Sequence, residues 1–165
     1  TFKDKGEQIV RIEPFERGTE GFNLMTEKLA SEYVVAREEI LLNREIMQHR
    51  WGRLVRFRST NNIYNEFVSQ KQPVLTEYQS RSLSRRVNIT SVNKFGQRSL
   101  RVEFTATDLN SQDTPIRTQE FEVIMEVAYL PQSVTFADRY VNPLGFTVGS
   151  YSLAQKENTP ESTGE

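Results

Sequence analysis

The chain of 165 residues contains no cysteine, one histidine and one tryptophan. Without a thiol there is no disulfide staple, no cysteine nucleophile and no zinc site of the cysteine type. With His49 as the single imidazole, a histidine-rich metal site is excluded, and a Ser-His-Asp arrangement has one candidate base set among arginines, where it reads as an ordinary side chain. The acidic residues do not alternate as in a calcium-binding loop, so neither a metal nor another cofactor is expected. Long apolar runs are missing too: no window approaches the ~20 residues that span a bilayer, and no signal peptide is visible.

What is present is enough apolar material, 36% of residues, for one domain with a core. Charge is unevenly placed. Residues 44–98 hold eleven Lys and Arg against three Asp and Glu, while both flanking segments are acidic. Arg44, Arg50, Arg53, Arg56 and Arg58 surround Trp51, and Arg81, Arg85 and Arg86 follow. Such a stretch raises nucleic-acid binding, but one interleaved aromatic and no accompanying motif argue against it. An acidic protein partner, or the acidic surface of a second copy, fits the asymmetry as well.

The periodicity changes along the chain. Glu7 to Glu13 reads as a short strand ending at Pro14. Phe22, Met25, Leu29, Tyr33, Ala36 and Ile40 then recur on one face of a helix over 22–42. Leu24, Val35 and Leu42, with Lys28 among them, make a second apolar line that a simple surface helix does not need, which marks it as a self-association face. Asn43 is placed to cap a second helix through Met47, Trp51, Leu54 and Val55. Ser59 or Thr60 is placed to cap a third, carrying Ile63, Tyr64, Phe67 and Val68 and ending near Pro73.

Beyond Pro73 the period is two. Val87 and Ile89, then Leu100 to Ala106, then Phe121 to Tyr129, and finally Phe146 and Val148 predict antiparallel strands with one buried face, joined by turns at 93–96 and 110–115. Residues 1–153 thus form one domain of class α+β, a curved sheet over three helices, and residues 154–165 a flexible polar tail. Cone-shaped folds of this plan also host enzymes with a buried acid in an apolar pocket. Here the inward positions Leu100, Val102, Phe104, Phe121, Val123 and Met125 do not titrate, and Glu103, Glu120, Glu122 and Glu126 fall on the alternate, solvated face. No enzymatic activity is expected, with a small-ligand binder or enzyme of the same cone as the alternative.

The most specific run is Asn142-Pro143-Leu144-Gly145-Phe146, continued by Thr147-Val148-Gly149-Ser150-Tyr151. Pro143 fixes its own φ and Gly145 permits a positive one, so the loop shape is prescribed locally. This run resembles the Asn-Pro-x-Gly loop and closing strand of the VirB8 family, bitopic inner-membrane proteins of bacterial type IV secretion systems, and Tyr33-Val-Val-Ala-Arg-Glu38 is similar to the family's first-helix signature. The resemblance implies a nuclear-transport-factor-two-like fold. It also implies a membrane-spanning helix upstream of Thr1, a periplasmic location for this domain, weak homodimerisation and contacts with other secretion subunits. Asn142, Pro143, Leu144 and Gly145 would form a partner-contact loop.

Overall fold

A computed structural model describes residues 7–12 and 20–156. Strand β1 (Ile9–Ile12) precedes helix α1 (Glu20–Glu38), helix α2 (Arg44–His49) with a π-helical continuation (Arg50–Val55), and helix α3 (Asn61–Ser80). Then come β2 (Ser84–Lys94), β3 (Ser99–Leu109), β4 (Pro115–Tyr129), β5 (Gln132–Thr135), a 3-10 turn (Phe136–Asp138) and β6 (Phe146–Gln155). An antiparallel sheet in the order β2-β3-β4-β6 curves over the helices, and β1 pairs with β5 in a separate two-stranded sheet. The α+β plan, the three helices and the meander agree with the sequence reading.

Three register shifts bend the large sheet, between Ile89 and Ser91, Asp108 and Leu109, and Glu126 and Val127. A bulge raises local twist, which is how a four-stranded sheet wraps around a helical layer. Leu100, Val102, Phe104, Val123, Met125, Phe146 and Val148 are buried on its concave side, against Tyr33, Val34 and Val55 from the helices. Removing such side chains from water contributes about 1.5–3 kcal/mol each. On the convex side Glu103 lies directly across from Glu122, and the like charges are offset by Lys156 on Glu103 (2.7 Å) and Arg101 on Glu122 (3.8 Å).

Several boundaries differ from expectation, each for a physical reason. Helix α1 stops at Glu38, because Ile40 turns extended and exchanges backbone hydrogen bonds with Arg85 (3.0 and 2.7 Å), closing the upper edge of β2. Met25, expected in the core, is exposed, whereas Phe22, Leu29, Tyr33, Ala36 and Ile40 are buried. The caps hold: Asn43 Oδ1 accepts the Ile46 N–H, and Thr60 rather than Ser59 caps α3.

Pro73 does not end α3. A proline inside a helix costs about 3 kcal/mol, but the turn beyond it buries Leu75 and Tyr78, which recover more than that. The tail boundary at Ala154 also shifts: Ala154 and Gln155 belong to β6 and pair with Glu122 and Phe121, since ladder bonds do not depend on side-chain polarity. Residues 157–165, and Pro14 at the expected end of the first strand, lie outside the described residues. Strand β5 was not foreseen, because Val134 is the one apolar residue among its four and no pattern shows.

Candidate functional site

The loop between the 3-10 turn and β6 is fixed from within. Gly145 N–H donates to Asn142 O (3.2 Å), with Pro143 at the second turn position, where its fixed φ fits. Gly145 has φ +70°, and a Cβ built there would lie 2.1 Å from the carbonyl oxygen of Leu130, so only glycine fits. Asn142 is 2% exposed, and its amide nitrogen donates toward Phe146 O (2.8 Å), Phe57 O (3.1 Å) and Gln132 Oε1 (3.2 Å). Gln132 in turn donates to the same Phe57 carbonyl (2.9 Å).

The four loop residues therefore divide. Asn142 and Gly145 are internal, and Leu144 is half-buried against the core. Pro143 faces solvent, as do Leu130 and, at 76% exposure, Tyr140. Beside them the Arg139 guanidinium lies 3.5 Å from the centre of the Phe136 ring and 4.3 Å from that of the Tyr140 ring. Leu130, Arg139 and Tyr140 were missed in the sequence. The one signal was their spacing around Pro131 and Pro143, which brings two turns together at one end of the sheet.

On α1, Leu24 is 66% exposed and Lys28 is exposed, while Val35 is half-buried over a shallow apolar recess of about 400 Å³ with Leu54. Leu42 is exposed but lies beyond the helix end, so the proposed line is shorter than its four residues. Half of the arginines named in the basic stretch are paired with carboxylates from other parts of the fold. Arg50 meets Glu39 (2.9 Å), Arg53 meets Asp138, Arg58 meets Glu32 (3.1 Å) and Arg85 meets Asp108 (2.7 Å). His49 is an exposed residue at the end of α2.

The inward strand positions Leu100, Val102, Phe104, Val123 and Met125 are buried and apolar as read, but the interior also holds buried Arg37, Glu38 and Asp108. Within the Tyr33–Glu38 run, Tyr33 OH meets Ser59 Oγ (2.7 Å) and receives a hydrogen bond from Arg37 (3.2 Å). The Arg37 guanidinium lies 3.6 Å from the Tyr151 ring, and buried Glu38 accepts from Lys71 Nζ (2.6 Å) and Tyr151 OH (2.8 Å). Burial, reinforced by the Glu38 charge, raises the Tyr151 hydroxyl well above the usual tyrosine range. These bonds bolt α1 to α3 and β6. The run is therefore structural in the first instance.

A second buried carboxylate, Asp108, accepts from Arg85 (2.7 Å), Arg117 (2.7 Å) and Tyr78 OH (2.8 Å). Burial pushes its pKa up, but the hydrogen bonds from Arg85, Arg117 and Tyr78 outweigh that and hold it below the ordinary aspartate value. Among the described residues no helix is long and apolar enough to cross a membrane.

Fold and loop together define the class: an α+β domain with a curved sheet over three helices and a clamped loop at one end. The soluble domain of TrwG from Bartonella grahamii superposes with a TM-score of 0.75 at 19% identity, over 86% of this chain and 97% of that one. VirB8 of Agrobacterium tumefaciens gives 0.71 at 14% identity, over 86% and 98%. TraE in complex with 2-(2-furyl)isonicotinic acid gives 0.69 at 25% identity, over 86% and 100%. No curated protein sequence matches the chain. The family model described as VirB8 protein matches residues 3–156, and the chain belongs to that family.

Proposed function

We propose that this domain is a non-catalytic scaffold, the periplasmic part of an inner-membrane component of a type IV secretion system, which acts by holding other subunits. The observation that carries this reading is the loop. The Asn142 amide, whose two hydrogens are shared among three surrounding acceptors, and a backbone contact at Gly145 present Pro143, with Leu130 and Tyr140 beside it, at fixed geometry. A preordered loop avoids the ordering cost that a flexible one pays on binding. Leu24 and Lys28 on α1 provide a separate surface for weak pairing of two copies.

The test is co-purification of the other secretion subunits with the wild-type chain and with Tyr140→Asp and Pro143→Ser, beside a transport assay. Both variants are expected to melt like wild type and to lose subunit binding; unchanged binding in both sinks the reading. An enzyme or ligand binder of the same cone has one observation in its favour, the Glu38–Lys71–Tyr151 cluster beside a polar recess of about 300 Å³. Turnover of an ester, phosphoester or ketosteroid substrate that vanishes in Glu38→Gln would favour it.

A further inference from the structure

Between α2 with its π turn and α3 runs a groove of about 590 Å³ that none of the contacts above uses. Its α3 wall is Tyr64, Val68, Gln72, Leu75 and Gln79. Those spacings of three and four keep one side of the helix facing the groove over four turns, a length of about 22 Å at ~1.5 Å per residue. The floor is Trp51, held edge-on to Phe67 at 5.0 Å and anchored by its N–H on Ala36 O (3.0 Å). Gly52 deepens the opposite wall, since a Cβ there would meet nothing within 4 Å. Val68 stays exposed although apolar.

The charge of the lining is one-sided. Arg44 is its one charged residue and makes no ion pair among the described residues, and no carboxylate lines the groove. A trough four turns long on its α3 side, walled opposite by residues 44–52, is filled best by a third helix, whose ridge packs into it while glutamines meet its polar flanks. We propose that this groove seats an amphipathic helix of another protein, its apolar stripe on Trp51, Val68 and Leu75 and a carboxylate against Arg44. A second copy fits less well, because the outer face of α1 carries Lys28 between exposed Leu24 and half-buried Val35, the wrong sign for Arg44. The proposal rests on the reading of the chain as part of a larger assembly, but uses a different surface from the loop.

Trp51 is the sole tryptophan of the chain, so its fluorescence reports directly on occupancy. The probes are synthetic peptides spanning each amphipathic helix of the other secretion subunits, as they stand and with their carboxylates changed to amides. At least one acidic peptide is expected to shift Trp51 emission with micromolar affinity. Gly52→Leu, which fills the groove from an unobstructed position, should weaken it about tenfold or more with an unchanged melting temperature. Arg44→Gln should weaken the acidic peptide and leave its amide version unaffected. The proposal is overturned if no peptide moves Trp51, if Gly52→Leu binds like wild type, or if raising the concentration of the chain alone produces the same shift. In the transport assay, loss with Tyr140→Asp but not with Gly52→Leu overturns the groove and leaves the assembly reading standing; no loss with either removes both.

Discussion

Gly145 and Leu130 are joined backbone to backbone: the Leu130 N–H donates to Gly145 O (2.8 Å), and the Leu130 carbonyl occupies the space where a Gly145 side chain would begin. Any other residue meets both a positive φ and a backbone atom that has no room to retreat. Gly145→Ala and Gly145→Val should each cost about 3 kcal/mol or more, a large fraction of the roughly 5–15 kcal/mol that holds a domain folded. A thermal melt checks this; a loss under about 1 kcal/mol would mean that the two turns separate easily.

Asp108 makes the fold sensitive to acid. Its carboxyl binds a proton less readily in the folded state than in the unfolded one. Its stabilisation is therefore present above the ordinary aspartate pKa of about 3.9 and is lost as pH falls through the lower folded value. Asp108→Asn should cost about 3 kcal/mol at pH 7, because Arg85 and Arg117 lose their anion, and should flatten the acid limb of a melting-temperature profile. Parallel profiles for variant and wild type would show that Asp108 is not the group responsible.

Tyr151 acts at the opposite end of the scale. Its hydroxyl stays protonated in the fold at a pH where the unfolded chain has released that proton. The stabilisation is complete below the ordinary tyrosine pKa of about 10 and fades as pH rises above it. Tyr151→Phe should flatten this alkaline loss in denaturant titrations between pH 8 and 11, at a cost at pH 7 of about 1–3 kcal/mol for the hydrogen bond taken from Glu38.

Pro73 is a removable penalty. It is exposed, thirteen residues into a twenty-residue helix, and forfeits a backbone hydrogen bond there. Pro73→Ala should stabilise the domain by about 1–2 kcal/mol, the gain in α3 being reduced by the greater freedom of the unfolded chain. A lower melting temperature would show that the helix requires its proline.

For self-association, Leu24→Glu should weaken dimerisation in sedimentation runs without altering the circular dichroism, since Leu24 is exposed. Val35→Glu is expected to lower stability as well, because Val35 shares its recess with Leu54. If Leu24→Glu sediments like wild type, the α1 face is not used between copies.

The parts of this fold that were legible in the sequence are those where one local rule decides. The alternation of Leu100, Val102 and Phe104, the Asn43 cap and the Pro143–Gly145 turn each follow from a few neighbouring residues. What escaped depends on distant partners. Pro73 reads as a stop until Tyr78 is seen to reach Asp108, and the arginines around Trp51 read as a free basic face until Glu32, Glu39 and Asp138 arrive from elsewhere. Asn142 was assigned to a contact surface because its burial is set by Phe57 and Gln132, which no spacing rule links to it.

That convergence on the Phe57 carbonyl gives the loop a mechanical character. A push on Pro143 is passed through Asn142 into β6 at Phe146, into β5 at Gln132 and into the end of the helical layer at Phe57. Three anchors in three different elements leave no axis about which the tip can pivot alone. The tip behaves as a strut, and displacing it means displacing the domain.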